Sequence, residues 1–116
     1  MPEHEIRACD AAMVRAFDVL GKRWNGMIVS VLANDPAAFS ELRRALGSIS
    51  DSMLSDRLAE LAAAGLIERS VDAGPPVSVS YGLTEAGLAL VPALELLAGW
   101  ARTSLGPKTE PATARA

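Results

Sequence analysis

Apolar positions in the first half of the chain recur at helical spacing. Met13, Val14, Phe17 and Leu20 share one face of a helix that begins at Ala11 and is stopped by Gly21. Trp24, Met27, Ile28, Val31 and Leu32 repeat that spacing and predict a second helix, closed by the turn Asn34-Asp35-Pro36. Ser40 is the expected N-cap of a short helix over 41–46, with Leu42 and Leu46 as its buried stripe and Gly47 at its end. Beyond the linker Ser48-Ile49-Ser50, Ser50 caps a longer helix over 50–64. Asp51 suits the positive end of its dipole, Leu54, Leu58 and Leu61 make its buried face, and Gly65 stands just past its end.

The hydrophobic period then falls from about 3.6 residues to about 2. Ile67 and Val71 predict one strand, and Val77, Val79, Tyr81 and Leu83 the next. The connection Asp72-Ala73-Gly74-Pro75-Pro76 is too long and too rich in proline for a two-residue hairpin turn, so it reads as a loop protruding between antiparallel strands. Thr84 caps a last helix that carries Glu85 in its first turn and Leu88, Val91, Leu94, Leu97 and Trp100 along its length; Pro92 is where it could kink. Residues 1–10 and 106–116 lack any period and read as a loose arm and a frayed tail. The expected fold class is mainly α with a small β ribbon, as one domain over 11–105.

Composition narrows the class. The 116 residues suit one domain at roughly 100–200 residues per domain. Half the chain is apolar and 22% is charged, which excludes a wholly disordered protein. No apolar run reaches the roughly 18 residues of a membrane helix, since Pro92 and Glu95 interrupt the best candidate, Leu88 to Ala101. Glu3, Glu5 and Arg7 leave no apolar segment for a secretory signal. A single cysteine, Cys9, allows no internal disulfide, which fits a cytoplasmic setting.

No enzyme is read from these residues. There is no glycine loop for phosphate and no metal-ligand cluster, and His4 is the sole histidine, so neither catalytic residues nor cofactors are expected. The informative constellation is a pair of helices on a three-residue linker, the second longer, followed by the β ribbon. This is a helix-turn-helix with a candidate wing. An α-helix fits the DNA major groove and reads base edges there. With the leucines inward, Ser52, Ser55, Asp56 and Ala59 of the second helix point away from the core, with Arg57 on the flank. Serine can bond bases or phosphates, aspartate can accept from a cytosine amine, and Arg43 and Arg44 of the preceding helix are placed to hold the backbone. Charge gives no general support. The chain carries −3, and residues 40–70 hold four cations (Arg43, Arg44, Arg57, Arg69) against five anions (Glu41, Asp51, Asp56, Glu60, Glu68). From pattern alone, a DNA-binding domain and a winged-helix protein-interaction module that does not bind DNA both remain open.

A more specific signal lies in the residues themselves. Phe39-Ser40-Glu41-Leu42-Arg43-Arg44, Ile49 through Leu58, Glu60-Leu61 and Gly65-Leu66-Ile67-Glu68-Arg69 together resemble the HxlR family of bacterial transcription regulators. So do Leu20-Gly21-Lys22-Arg23-Trp24 upstream, Tyr81 through Gly87 downstream, and the late Trp100. The resemblance spans about residues 11–104. It implies a winged helix-turn-helix that dimerises through its first and last helices and binds an inverted-repeat operator, more often as a repressor than as an activator. Carried over by position, Ser50 to Ala59 is the recognition helix, Arg43 belongs to the supporting helix, and the loop from Gly74 and Pro75 to Val77 is the wing tip. This chain departs from the family pattern at three points. Ser52 stands where a basic or amide residue is frequent, Ser80 where a carboxylate often precedes the tyrosine, and the wing loop has no Arg or Lys.

Many family members carry a cysteine before the first helix, and some use it to sense oxidants or electrophiles. Cys9 is this chain's candidate, although the family's cysteine aligns nearer Ala11 and is often followed by proline, where this chain has Asp10. A helix N-terminus and Arg7 would favour a reactive thiolate and Asp10 would oppose it, so a redox sensor and an inert thiol are both open. Trp24 and Trp100 read first as core and interface packing, and second as the lining of a small-molecule effector pocket between subunits. Arg57 reads first as a DNA contact and second as a surface pair with Glu60.

Overall fold

The computed structural model describes residues 7–107, and the remaining residues of the arm and tail, His4 among them, lie outside it. The elements follow as α1 (Ala11–Leu20), α2 (Asn25–Val31), α3 (Phe39–Leu46), α4 (Asp51–Ala63), β1 (Ile67–Asp72), β2 (Ser78–Leu83) and α5 (Glu85–Ser104). This is the expected order, mainly helical with one antiparallel ribbon. No helix among the described residues is long and apolar enough to cross a membrane.

Local chemistry explains the boundaries. The Asp10 carboxylate accepts from the Ala12 amide at 2.7 Å and opens α1. Ser50 Oγ accepts from the Met53 amide at 3.1 Å and opens α4, as expected. The cap of α3 is not Ser40, however, but Ala38, two residues earlier. Alanine has no side-chain acceptor, so the start is secured from within the helix, where Glu41 Oε1 accepts from the Ala38 amide at 2.7 Å. Gly65 follows α4 at φ +81°, the left-handed conformation that ends the helix. α5 runs unbroken through Pro92, although proline there leaves one backbone carbonyl without its helical partner.

β1 and β2 pair from Ile67↔Leu83 to Asp72↔Ser78. Val77 falls just outside the ribbon, in the loop. Ala37 exchanges hydrogen bonds with Tyr81, N to O at 2.9 and 2.8 Å, so the segment before α3 lies against β2 as a third backbone.

The core gathers Ile28, Val29, Leu32, Leu42, Ile49, Leu54, Leu58, Leu61 and Ile67. Two details differ from the periodic reading. On α2 and its C-cap the buried side is Ile28, Val29 and Leu32, while Met27 and Val31 are exposed. The short linker contributes Ile49, a core residue, so the turn between α3 and α4 is pinned by burial as well as by its length. A second group of apolar side chains stays outside the core. Met13, Val14 and Phe17 on α1, and Leu88, Leu96, Leu97 and Trp100 on α5, are all about half exposed or more, with Leu96 at 77%. Only Val91 and Leu94 of the α5 stripe pack on the core.

Thr84 fastens the ends of α4 and α5 together. Its Oγ1 donates to the Gly65 carbonyl at 2.6 Å and accepts from the Gly87 amide at 3.1 Å, while its own amide donates to the Leu66 carbonyl at 3.0 Å. Gly87 is buried at this crossing, and a β-carbon there would stand 2.2 Å from the Leu66 carbonyl oxygen. Gly87→Ala therefore has to push the start of α5 away from the turn at Leu66. It is expected to cost about 1–3 kcal/mol of folding stability, read as a lower urea midpoint, and an unchanged midpoint would refute the close approach.

Candidate nucleic-acid interface

α4 is amphipathic in the sense a reading helix requires. Leu54, Leu58 and Leu61 are buried, and Ser52, Ser55, Asp56 and Ala59 are all exposed on the opposite side. Ser50 spends its hydroxyl on the cap and also lies 3.5 Å from Ser52 Oγ. Arg43 and Arg44 are exposed in the last turn of α3. With Ser40, Gly47 and Ile49 they line a cleft of about 400 Å³ beside the start of α4. Arg43 Nη1 lies 3.2 Å from Asp51 Oδ1, so the supporting helix and the first turn of α4 are also joined electrostatically. The loop with Gly74 and Pro75 is fully exposed at the far end of the ribbon. It is held at its root by the Gly74 amide donating to Asp72 Oδ1 at 3.1 Å.

Arg57 is placed differently from its neighbours. Its side chain is 21% exposed and Nη1 donates to Glu60 Oε1 at 2.7 Å, the pairing that the i, i+3 spacing allowed. Glu60 also binds Lys22 Nζ through Oε2 and receives Asn25 Nδ2 at 3.4 Å. Asn25 is fully buried and spends the same amide on the Val19 carbonyl at 2.8 Å. Asn25 Oδ1 and Arg57 Nε are buried here with no partner among the described residues, a cost of about 1–3 kcal/mol each. The Arg57–Glu60 pair was legible from its spacing. The parts played by Lys22 and Asn25 were not, because 38 and 35 residues separate them from Glu60. This closure also changes the charge picture, since the carboxylate that made residues 40–70 acidic is neutralised by a lysine outside that window.

The turn carrying Lys22 and Asn25 has an unusual backbone. Trp24 adopts φ +86°, the one non-glycine residue in the left-handed region among those described. Its ring packs against the core and lies under the Arg23 guanidinium, 4.7 Å from the ring centre. Trp24 lines a hollow of about 330 Å³ with Leu20, Met27, Leu94 and Leu97; Trp100 is not part of that lining. Cys9 is exposed one residue before the cap of α1.

A helical pair on a tight turn, a bare outward face on its second helix and a two-stranded ribbon behind define a winged helix-turn-helix domain. Comparison with known proteins agrees. Residues 19–109 match the model of the HxlR-like helix-turn-helix family, and the chain belongs to that family. It is 44% identical over 89 residues to the HTH-type transcriptional regulator YodB of Bacillus subtilis, covering 77% of this chain and 80% of the relative. The solved reduced form of B. subtilis YodB superimposes with a TM-score of 0.76 at 39% identity, over 88% of this chain and all of that one. The redox regulator HypR in its oxidised form gives 0.76 at 32% identity, over 80% and 96%.

Hydrogen bonds from Lys22 and then Arg57 hold the Glu60 carboxyl at about 2, well below its usual 4.5. The unfolded chain binds that proton first. The stabilisation is therefore complete above about pH 4.5 and disappears as pH falls towards about 2. Glu60→Gln should accordingly be less stable than the parent at neutral pH, with the gap closing across that acid window in urea titrations. A gap that stays constant down to about pH 2 would show that the carboxylate charge is not what the cluster uses.

Proposed function

We propose that this protein is a homodimeric DNA-binding transcription regulator, a repressor by preference, that sits on an inverted-repeat operator in the cytoplasm. The observation that carries the reading is the bare face of α4. A helix held by three leucines presents two serines, an aspartate and an alanine to the outside, with two arginines at its shoulder. Ser52, Ser55, Asp56 and Ala59 would face base edges, with Arg57 at their flank. Ser50, Arg43 and Arg44 would hold phosphates, and Gly74 and Pro75 would bring the wing backbone to the minor groove. The half-exposed apolar faces of α1 and α5 suit burial against a second copy, because contiguous exposed apolar surface of this kind marks an interaction site. Two-fold symmetry then sets half-site centres about one helical turn apart, roughly 34–36 Å.

A redox or electrophile response through Cys9 is part of the proposal, supported by the thiol's exposure and by relatives solved in reduced and oxidised forms. With no second cysteine in the chain, oxidation joins Cys9 Sγ to the other subunit's Cys9 or to a small thiol. The two thiols then give up two protons and two electrons to the oxidant.

Fluorescence anisotropy on the DNA upstream of the protein's own gene, across a salt series, tests the function. Tight binding whose logarithm falls linearly with the logarithm of salt is expected. Arg44→Ala should weaken it and reduce the slope by about 0.9, the share of one phosphate contact. Absence of binding at low salt on this and on random DNA would favour the protein-interaction module instead. Cys9→Ser should bind equally well in reductant and keep its DNA when diamide is added. Release of DNA from that variant by diamide would clear Cys9 of the sensing role.

A further inference from the structure

We infer that Lys22 and Asn25 are positioning residues for DNA recognition, which act through Glu60 to set the seat of α4 against the turn between α1 and α2. The inference rests on the reading of α4 as the recognition helix.

Three parts of the fold meet at one carboxylate. Asn25, at the start of α2, holds the last turn of α1 through the Val19 carbonyl at 2.8 Å and reaches Glu60 Oε1 at 3.4 Å with the same amide. Lys22, in the turn itself, takes Glu60 Oε2. Arg57, one turn before Glu60 on α4, takes Oε1 at 2.7 Å. Asn25 is the one polar or charged side chain fully buried among the described residues, and it is spent at this junction. The backbone is bent to suit, since Trp24 stands between Lys22 and Asn25 at φ +86°. A bulky residue persists there only where its surroundings over-determine it, and such outliers concentrate at functional sites.

Apolar packing alone would leave α4 underdetermined. Burial of Leu54, Leu58 and Leu61 is non-directional and tolerates small rotations of the helix about its axis. A carboxylate held by charged donors on both of its oxygens does not, because such bonds are short and angular. The rotation they fix decides where Ser52, Ser55 and Asp56 aim. Lys22 and Asn25 lie outside that outward face, so their influence on DNA runs through Glu60. α1, whose outer face is apolar and exposed, is tied into the same junction through Val19, and its displacement is thereby carried to α4.

The test is operator affinity and its salt slope for Lys22→Met, Lys22→Arg, Glu60→Gln and the double variant Lys22→Met with Glu60→Gln, each first shown to be folded by its thermal transition. Lys22→Met and Glu60→Gln are each expected to bind at least about fivefold more weakly than the parent. Their salt slopes should be unchanged, since no phosphate contact is lost. Lys22→Arg should retain affinity, and the double variant should be no worse than either single one. The sign for Glu60→Gln is discriminating. Removing an anion from a DNA-binding helix tightens binding by charge alone, whereas loss of the seat weakens it. Tighter binding by Glu60→Gln, unchanged affinity of folded Lys22→Met, or a slope reduced by about 0.9 in Lys22→Met would each overturn the inference, the last by making Lys22 a phosphate contact itself. Failure of the parent protein to bind any DNA would instead overturn the recognition-helix reading, and with it the role given to Lys22 and Asn25.

Discussion

A helix can offer one face to a ligand only if its other face is held by its own protein. In this chain the stripe Leu54, Leu58 and Leu61 supplies that hold, and most of the fold is arranged to receive it. Ile28 and Val29 of α2, Leu32 at its C-cap, Leu42 of α3, Ile49 of the linker and Ile67 of β1 belong to the same buried cluster. Hydrophobic burial stabilises these contacts without fixing their angles, so direction has to come from polar anchors. Ser50 sets where α4 begins, Gly65 and Thr84 set where it ends, and the Glu60 cluster ties its flank to the α1–α2 turn.

Buried polar chemistry is concentrated at that last anchor. Elsewhere the core is aliphatic, which packs well but specifies little. The cluster brings an asparagine amide, two cations and one carboxylate together from segments far apart in sequence, and leaves one donor and one acceptor unpaired. An arrangement that costs stability in this way is understandable where geometry matters more than stability, as at the seat of the proposed recognition helix.

The distribution of apolar surface has the opposite meaning. A domain of this size has little surplus burial, yet α1 and α5 leave Met13, Phe17, Leu96 and Trp100 about half exposed or more. These residues are separate from the outward side of α4, so in the proposed regulator one surface would take a second copy and another DNA. The α1–α2 turn continues from α1, which Cys9 precedes, and reaches Glu60 of α4 through Lys22. In the proposed regulator, this is the route by which a change at α1 reaches the reading helix.

Much of this architecture was written in local pattern. The helix spacing of the leucines, the caps Ser50 and Thr84, the stop at Gly65 and the switch to alternation at Ile67 depend on neighbours within a few residues, and each stands where local physics puts it. The motifs from Phe39 to Gly87 carried the family as well, because they are short and ordered along the chain. The outward face of α4 followed from the wheel as soon as the buried face was assigned. Local pattern went wrong at Ser40, where a good capping residue lost to Ala38 because Glu41 could secure the start from inside the helix. What only the tertiary structure decided was the use of partners distant in sequence. It determined that Glu60 is neutralised by Lys22, that Asn25 is buried, that Gly87 lies under the Leu66 carbonyl and that the α1 stripe faces outward rather than into the core. A helical period tells which residues share a face. What that face meets depends on how the chain folds back, and that is set by the packing of the whole.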